Sequence, residues 1–404
     1  MRLKISLLAS IALLITVVTP SVMMGFGASS MAPGVTIISI ISLFVGLILL
    51  ISIGKPKKVI TLFIIFVIII SVTILSGVQS YILNTSFDTE RFIQSIILLL
   101  LFLLGALSWS LLSNKLTDNQ FDKAVKIVFY ILIFTGFISL FVLSPFHKRV
   151  KQVFFFSEPS FYAINSASFI LYMVVSSPRI KKIFIFSLII LLGVLLQNLT
   201  LLLISIIISL YIFNLRKLVI FYTFIFVIIL TIGVSQFTYY TTRLDFSSDN
   251  SNMSRLAYLS GWERVAISLS NNNGLGVGYQ QLGIVGEQGE ILQKLDSLGV
   301  TDLNLNDGGS VAAKLICEFG IMAVIALLIY LLFLTKTFIY LRNISMKRSS
   351  PNNPKLVFFM SCYLMFFVEF FFRGTGYFTS TGFLFITSLI WLSLNLNKCP
   401  SASV

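Results

Sequence analysis

The chain is short of charge, cysteine and histidine, and each shortage excludes something. Of its 404 residues 11% are charged and 57% are hydrophobic, whereas a soluble domain needs about 25% charge to cover its surface. Most of this surface must therefore face lipid. The three cysteines, Cys317, Cys362 and Cys399, have no CxxC spacing, and His147 is the one histidine. Neither a disulfide framework nor a zinc site is expected. A protein-held metal would need carboxylates, and no metal or cofactor is expected. Acidic residues are scarce too, 15 against 29 basic, for a formal charge of +14. The basic residues are scattered, not striped as a nucleic-acid face would be, so no nucleic-acid partner is expected. Cytoplasmic loops of a membrane protein explain the excess more simply.

What is present is a series of long apolar stretches. They lie at roughly 5–24, 35–53, 59–81, 92–113, 127–146, 152–176, 183–197, 199–215, 218–237, 312–335, 356–372 and 376–396. In lipid each can satisfy its backbone only as a helix. The expected fold class is all-α: a polytopic membrane protein with about 12 transmembrane helices. The N-terminal Arg2 and Lys4 followed by an apolar run have the form of a signal peptide. A retained first helix starting inside is the preferred reading.

Residues 183–215 carry no charge, and one straight helix of that length would reach about 50 Å against a hydrocarbon core of about 30 Å. Basic clusters flank it on both sides (Arg179, Lys181 and Lys182; Arg216 and Lys217), so it is expected to cross twice, turning at Gln197-Asn198. With twelve crossings, 19 of the 29 basic residues fall on the inside and both termini are cytoplasmic. The expected organisation is helices one to nine over 1–237, a large extracytoplasmic loop over 238–311, and helices ten to twelve with a short cytoplasmic tail over 312–404. The long loop has four basic and eight acidic residues, net −4. No internal repeat is visible, which argues against transporters built from duplicated halves.

Within the long loop, Leu256, Leu259, Trp262, Ala266 and Leu269 recur at helical spacing over 253–270, the pattern of an amphipathic helix on the membrane or the bundle. Arg255 and Arg264 are nine residues apart, about 180° around such a helix. They could share one substrate group only if it broke at Gly261. Next comes Asn271-Asn272-Asn273-Gly274-Leu275-Gly276-Val277-Gly278. A structural turn and a backbone that approaches a ligand closely are both open readings. Asp302, Asn304 and Asn306 alternate like calcium ligands. Asp307 and Ala313 stand where such a loop needs Gly and Glu, and a site of that type is rejected.

Charges inside apolar stretches cost about 2.5 kcal/mol or more each and so face protein or water. Glu158 sits in Phe156-Ser157-Glu158-Pro159-Ser160-Phe161, where Pro159 breaks the helix. It is read as a functional carboxylate or as the partner of an arginine. Glu318 and Glu369 read as structural, paired with Lys314 and Arg373. Arg373-Gly374 is another candidate anion contact, and Lys148, Arg149 and Lys151 make an outer loop unexpectedly basic. Arginine is suited to bidentate phosphate recognition, so this outer face fits a lipid-linked phosphate or pyrophosphate.

These residues carry a resemblance to the Wzy-type polymerases, which join undecaprenyl-pyrophosphate-linked repeat units into O-antigen, capsule or exopolysaccharide. It covers the whole architecture. In detail it rests on Phe156-Ser157-Glu158-Pro159-Ser160-Phe161-Tyr162-Ala163, on Arg255…Trp262…Gly274-Leu275-Gly276-Val277-Gly278-Tyr279, and on Lys314-Leu315-Ile316-Cys317-Glu318-Phe319-Gly320. The first stretch is the most specific; the others are shared loosely with O-antigen ligases. Ligases usually carry a His-Asn pair before the post-loop helix, where this chain has Asn306-Asp307, which favours the polymerase. The resemblance implies a glycosyltransferase of the bacterial cytoplasmic membrane acting on its outer face. Its partners would be undecaprenyl-pyrophosphate oligosaccharide, the bilayer, a flippase and a chain-length regulator. Arg255 or Arg264, with Arg149, would hold pyrophosphate, and Glu158 would serve the acceptor hydroxyl. Lys148, Lys151, Trp262, Gly276, Gly278 and Arg373 complete the expected substrate-binding set. A ligase-like glycan transferase and a lipid-linked oligosaccharide flippase are the alternatives.

Overall fold

A computed structural model describes residues 2–50, 56–142, 153–214, 252–300, 305–347 and 353–395. Among these the regular structure is helical throughout. The first eight helices are α1 (Arg2–Gly25), α2 (Ala32–Leu50), α3 (Pro56–Leu83), α4 (Thr89–Lys115), α5 (Asp118–Ile138), α6 (Pro159–Ser176), α7 (Arg179–Leu195) and α8 (Leu199–Ser209). The later part supplies α9 (Met253–Asn271), α10 (Glu290–Ser297), α11 (Val311–Phe319), α12 (Ile321–Met346), α13 (Pro354–Phe371) and α14 (Ser380–Leu394). Among the described residues five segments are long and apolar enough to cross a membrane: Ile5–Gly25, Leu62–Leu83, Thr89–Lys115, Ile321–Met346 and Pro354–Phe371. Phe63, Ile64, Ile68 and Leu75 of α3, and Leu328, Ile329, Leu332 and Phe333 of α12, are exposed. Apolar surface that continuous belongs against lipid.

Helix α6 is the hub. Pro159 starts it at the first helical position, where a missing N–H costs nothing. Ser177 stops it, because the residue before Pro178 is pushed out of the helical region. Between them Tyr162, Phe169, Ile170, Leu171, Tyr172 and Met173 are fully buried, packed by α13, α5 and α8. Helices α2 and α4 approach closely because their contact is small: a Cβ on Gly105 would lie 2.8 Å from the Ser39 Cα.

The bundle has two polar ends. At one end α6 and α14 begin, and α3, α5, α7 and α13 finish. At the other, α5, α7 and α13 begin, and α4, α6, α12 and α14 finish. Basic residues collect at this second end: Lys115, Lys123, Lys126, Arg179, Lys181, Lys182 and Lys355. Lys355 pairs with Asp118 at 3.4 Å and donates to the Leu116 carbonyl at 2.5 Å.

Several expectations change in detail. The charge-free stretch does break at Gln197-Asn198: Gln197 has φ +48°, and Asn198 caps α8 and donates to the Pro159 carbonyl at 2.6 Å. The chain then returns to the far end, where the Tyr211 carbonyl accepts from Ser345 at 2.7 Å. The helix expected over 312–335 is two helices, α11 and α12, joined at Gly320 with φ +59°. A Cβ there would stand 1.9 Å from the Gly274 carbonyl oxygen. The helix expected from 152 starts only at Pro159, after a turn closed by the Val153–Phe156 bridge. The described part of the long loop is folded onto the bundle and holds α10, which the sequence reading omitted.

Candidate functional site

The first cluster is built where α6 starts and α13 ends. Glu158 is the N-cap residue of α6 in extended backbone and makes no capping bond with its side chain. Its Oε2 instead accepts from Arg373 Nη2 at 2.8 Å and from Ser160 Oγ at 3.2 Å. Arg373 Nε also donates to Ser160 Oγ at 3.4 Å, and the guanidinium lies 5.8 Å from the Phe161 ring centre. The pair is partly open, with side chains 25% (Arg373) and 29% (Glu158) exposed. The expected pairing of Arg373 with Glu369 is corrected. Glu369 is buried within α13 and accepts from Thr381, whereas Arg373 lies beyond the helix end and turns toward α6.

The second cluster surrounds Lys314. On α11 this side chain is 2% exposed, with Nζ 3.2 Å from Asp307 Oδ1, 3.3 Å from Gln280 Oε1 and 4.9 Å from the Tyr377 ring centre. One helical turn on, Glu318 accepts from the Tyr377 hydroxyl at 2.7 Å. Burial raises the Glu318 pKa, against the pull of Lys314 and its hydrogen bonds. The expected Lys314–Glu318 ion pair is therefore corrected: Lys314 is bonded to Asp307 and Gln280, and Glu318 to Tyr377. Arg91 at the start of α4 donates to Asn306 Oδ1 at 3.0 Å and to Gln280 Oε1 at 3.5 Å, so Gln280 bridges two cations. Tyr279 stacks on Tyr377 at 5.8 Å.

The segment from Arg373 to Tyr377 joins the clusters. Gly374 N donates to the Gly309 carbonyl at 3.1 Å, and a Cβ on Gly376 would lie 2.7 Å from Asp307 Oδ1. Four residues of chain reach at most about 14 Å, so the two clusters share one end of the bundle.

Helix α9 borders this end but presents a different face from the one expected. Its buried stripe is Leu256, Ala257, Ser260, Gly261, Arg264, Val265 and Ser268. Leu259, Trp262 and Leu269 are only half-buried, and Ala266 is exposed. Small residues decide the rotation, because a Cβ on Gly261 would stand 1.8 Å from the Gly308 carbonyl oxygen. The helix is unbroken at Gly261, so Arg255, half-buried, and Arg264 point to different sides. Arg264 is buried and donates to the Leu305 carbonyl at 2.5 Å. Burial lowers its pKa, opposed by Cys317 and by the carboxyl groups of Asp307, Glu263 and Glu318. Trp262 packs beside Val265 and Tyr258.

For Gly276 and Gly278 a turn and a ligand contact were both open, and the close approach they make here is to the protein itself. A Cβ on Gly276 would lie 2.6 Å from the Glu318 carbonyl oxygen, and one on Gly278 would lie 2.5 Å from the Ser80 Cβ. Val277 N and Gly278 N donate to the Cys317 and Glu318 carbonyls at 2.8 and 3.0 Å. This is the structural-turn reading of the glycine series. Lys148, Arg149, Lys151, Asp302 and Asn304 lie outside the described residues.

Sequence reasoning missed Lys314, Asp307, Gln280, Arg91 and Tyr377 as one group. One signal was available: Lys314 stands between Val311-Ala312-Ala313 and Leu315-Ile316-Cys317, and a lysine so flanked must find internal partners. Among the described residues no three of His, Cys, Asp and Glu gather where they could hold a metal.

The fold and these clusters define a class, a helical membrane-type protein whose apolar bundle carries paired carboxylates and cations at the end where α6 begins. No family model, curated protein or solved structure matches the chain.

Proposed function

We propose that the protein polymerises undecaprenyl-pyrophosphate-linked oligosaccharide repeat units into surface polysaccharide at the outer face of the bacterial cytoplasmic membrane. The observation that carries this reading is the partly open Arg373–Glu158–Ser160 cluster beside the buried Lys314–Asp307 pair, at one end of an apolar bundle. An anionic lipid-linked donor needs such an end, with cations at its mouth and lipid-facing helices for its polyprenyl chain.

In this reading the protein has about twelve crossings, residues 238–311 lie outside, and both termini are cytoplasmic. The orientation is supported by the basic residues at the end opposite Glu158, which is where positive charge is retained. The reaction breaks the bond between the donor's anomeric carbon and its pyrophosphate oxygen. It forms a bond from that carbon to an acceptor hydroxyl oxygen, whose proton passes to a base. Charge grows on the departing pyrophosphate, so preorganised cations lower the barrier. Arg373 is the partly exposed cation beside Glu158 and is assigned to that charge. Arg264, held on the Leu305 carbonyl, fixes the loop behind Asp307 and Lys314. Glu158 is assigned to the acceptor proton. Its bond to Arg373 makes the two a coupled unit, in which a pyrophosphate that draws the guanidinium away releases the carboxylate.

The test is deletion of the gene followed by electrophoresis of extracted surface glycans. Loss of the polymer ladder with single lipid-linked repeats persisting on the outer face is expected. Repeats trapped on the inner face would instead mean a flippase, and long polymer not joined to its final acceptor would mean a ligase.

A further inference from the structure

A cavity of about 250 Å³ lies at the other end of the bundle, between the end of α6, the start of α7, the chain after α8 and the end of α12. A single buried water needs about 10–15 Å³ of such space, so a polyatomic ligand has room. The polar lining is Ser177, Arg179, Lys182, Tyr211, Asn214 and Ser345, with no carboxylate among the described lining residues. Lys182 is buried, and its Nζ donates to the Ser345 carbonyl and hydroxyl, each at 2.6 Å. That bond fixes an ammonium in the cavity wall. The Tyr211 side chain is fully buried, and its hydroxyl has no hydrogen-bond partner among the described residues. A buried hydroxyl in that condition is rare in a folded protein and calls for an acceptor. Arg179 is exposed at the rim.

We propose that this cavity binds a phosphate-bearing anion. Two cations, hydroxyl and amide donors and an absence of lining carboxylates are the chemistry of an oxyanion site. The site is separate from the cluster around Glu158: the 18 residues of α6 lie between them, about 27 Å at helical rise. Phosphate can come from a lipid headgroup or from a soluble phosphate ester. Ile180, between Arg179 and Lys181, is 85% exposed, as suits a chain segment lying at the boundary of headgroups and acyl chains.

The experiment uses the full-length protein in neutral detergent and reads its thermal unfolding midpoint. Glycerol 1-phosphate is titrated in one arm, and phosphatidylglycerol micelles are compared with phosphatidylcholine micelles in the other. A rise with glycerol 1-phosphate supports the site and assigns a soluble ester. A rise with phosphatidylglycerol alone supports it and assigns a lipid headgroup. Arg179→Gln, at an exposed position where folding is not at risk, should weaken the effective ligand about tenfold. Lys123→Gln, at an exposed position on the same end but outside the cavity, should leave it unchanged. No rise in either arm, or equal weakening by both substitutions, overturns the proposal.

Discussion

At Glu158 the chemistry turns on one hydrogen bond. Glu158→Gln keeps the side chain's shape and lets an amide oxygen accept from Arg373, but removes the negative charge. If Glu158 takes the acceptor proton, the variant should yield single repeats instead of a polymer ladder, at unchanged protein level. Its thermal midpoint should move little, since an ion pair this open contributes about 0–1 kcal/mol. A ladder of wild-type length would restrict Glu158 to holding Arg373. Lys314 behaves differently, being buried. Lys314→Met leaves Asp307 without its lysine and Gln280 with Arg91 alone, and should cost about 1–3 kcal/mol, read as a lowered midpoint in detergent. Lys182 should show in the pH dependence. Burial brings its pKa from 10.5 down to about 8, so between those values the unfolded chain binds the extra proton. Stability therefore rises with pH across that window, and Lys182→Met should remove the rise. Residue types and their oddity are visible in the sequence. Partner choice is not: Arg373 reaches back 215 residues to Glu158 and leaves the nearer Glu369 to Thr381.

Helix α9 illustrates what periodicity can settle. Its span of Met253–Asn271 nearly coincides with the expected 253–270, because helical spacing and the Asn252 cap are local. Its buried face was misjudged, since hydropathy ranks Leu259 and Trp262 above Gly261 and Ser260. Backbone approach by the chain at Gly308 reverses that ranking. Gly261→Ala should therefore destabilise the protein by at least about 2 kcal/mol through that clash. At Gly299 a Cβ meets nothing within 4 Å, and Gly299→Ala carries only the backbone cost of a positive φ, about 1 kcal/mol. Comparing the two midpoints checks the reading, and equal effects would contradict it. The break between α11 and α12 has the same origin, because Gly320 is where the chain turns to let Ile321 N donate to the Gly274 carbonyl at 2.8 Å.

For the whole molecule the prediction is sidedness. Leu298, after α10, is exposed, and Leu298→Cys in a Cys399→Ser background should react with a membrane-impermeant maleimide in spheroplasts. Cys317 and Cys362 are buried and should stay silent. Reaction only after lysis would invert the proposed orientation. The sequence by itself determined that this is an apolar, helical, membrane-type chain with a basic bias and a turn at Gln197-Asn198. Those properties follow from local composition and from the length a helix needs in lipid. Only the tertiary structure decided which face of α9 is buried, that the glycine series packs on α11 and α3, and that Lys314, Asp307, Gln280 and Arg91 meet. Each of these depends on segments tens to hundreds of residues apart approaching within hydrogen-bond distance, and neither hydropathy nor spacing encodes such approaches.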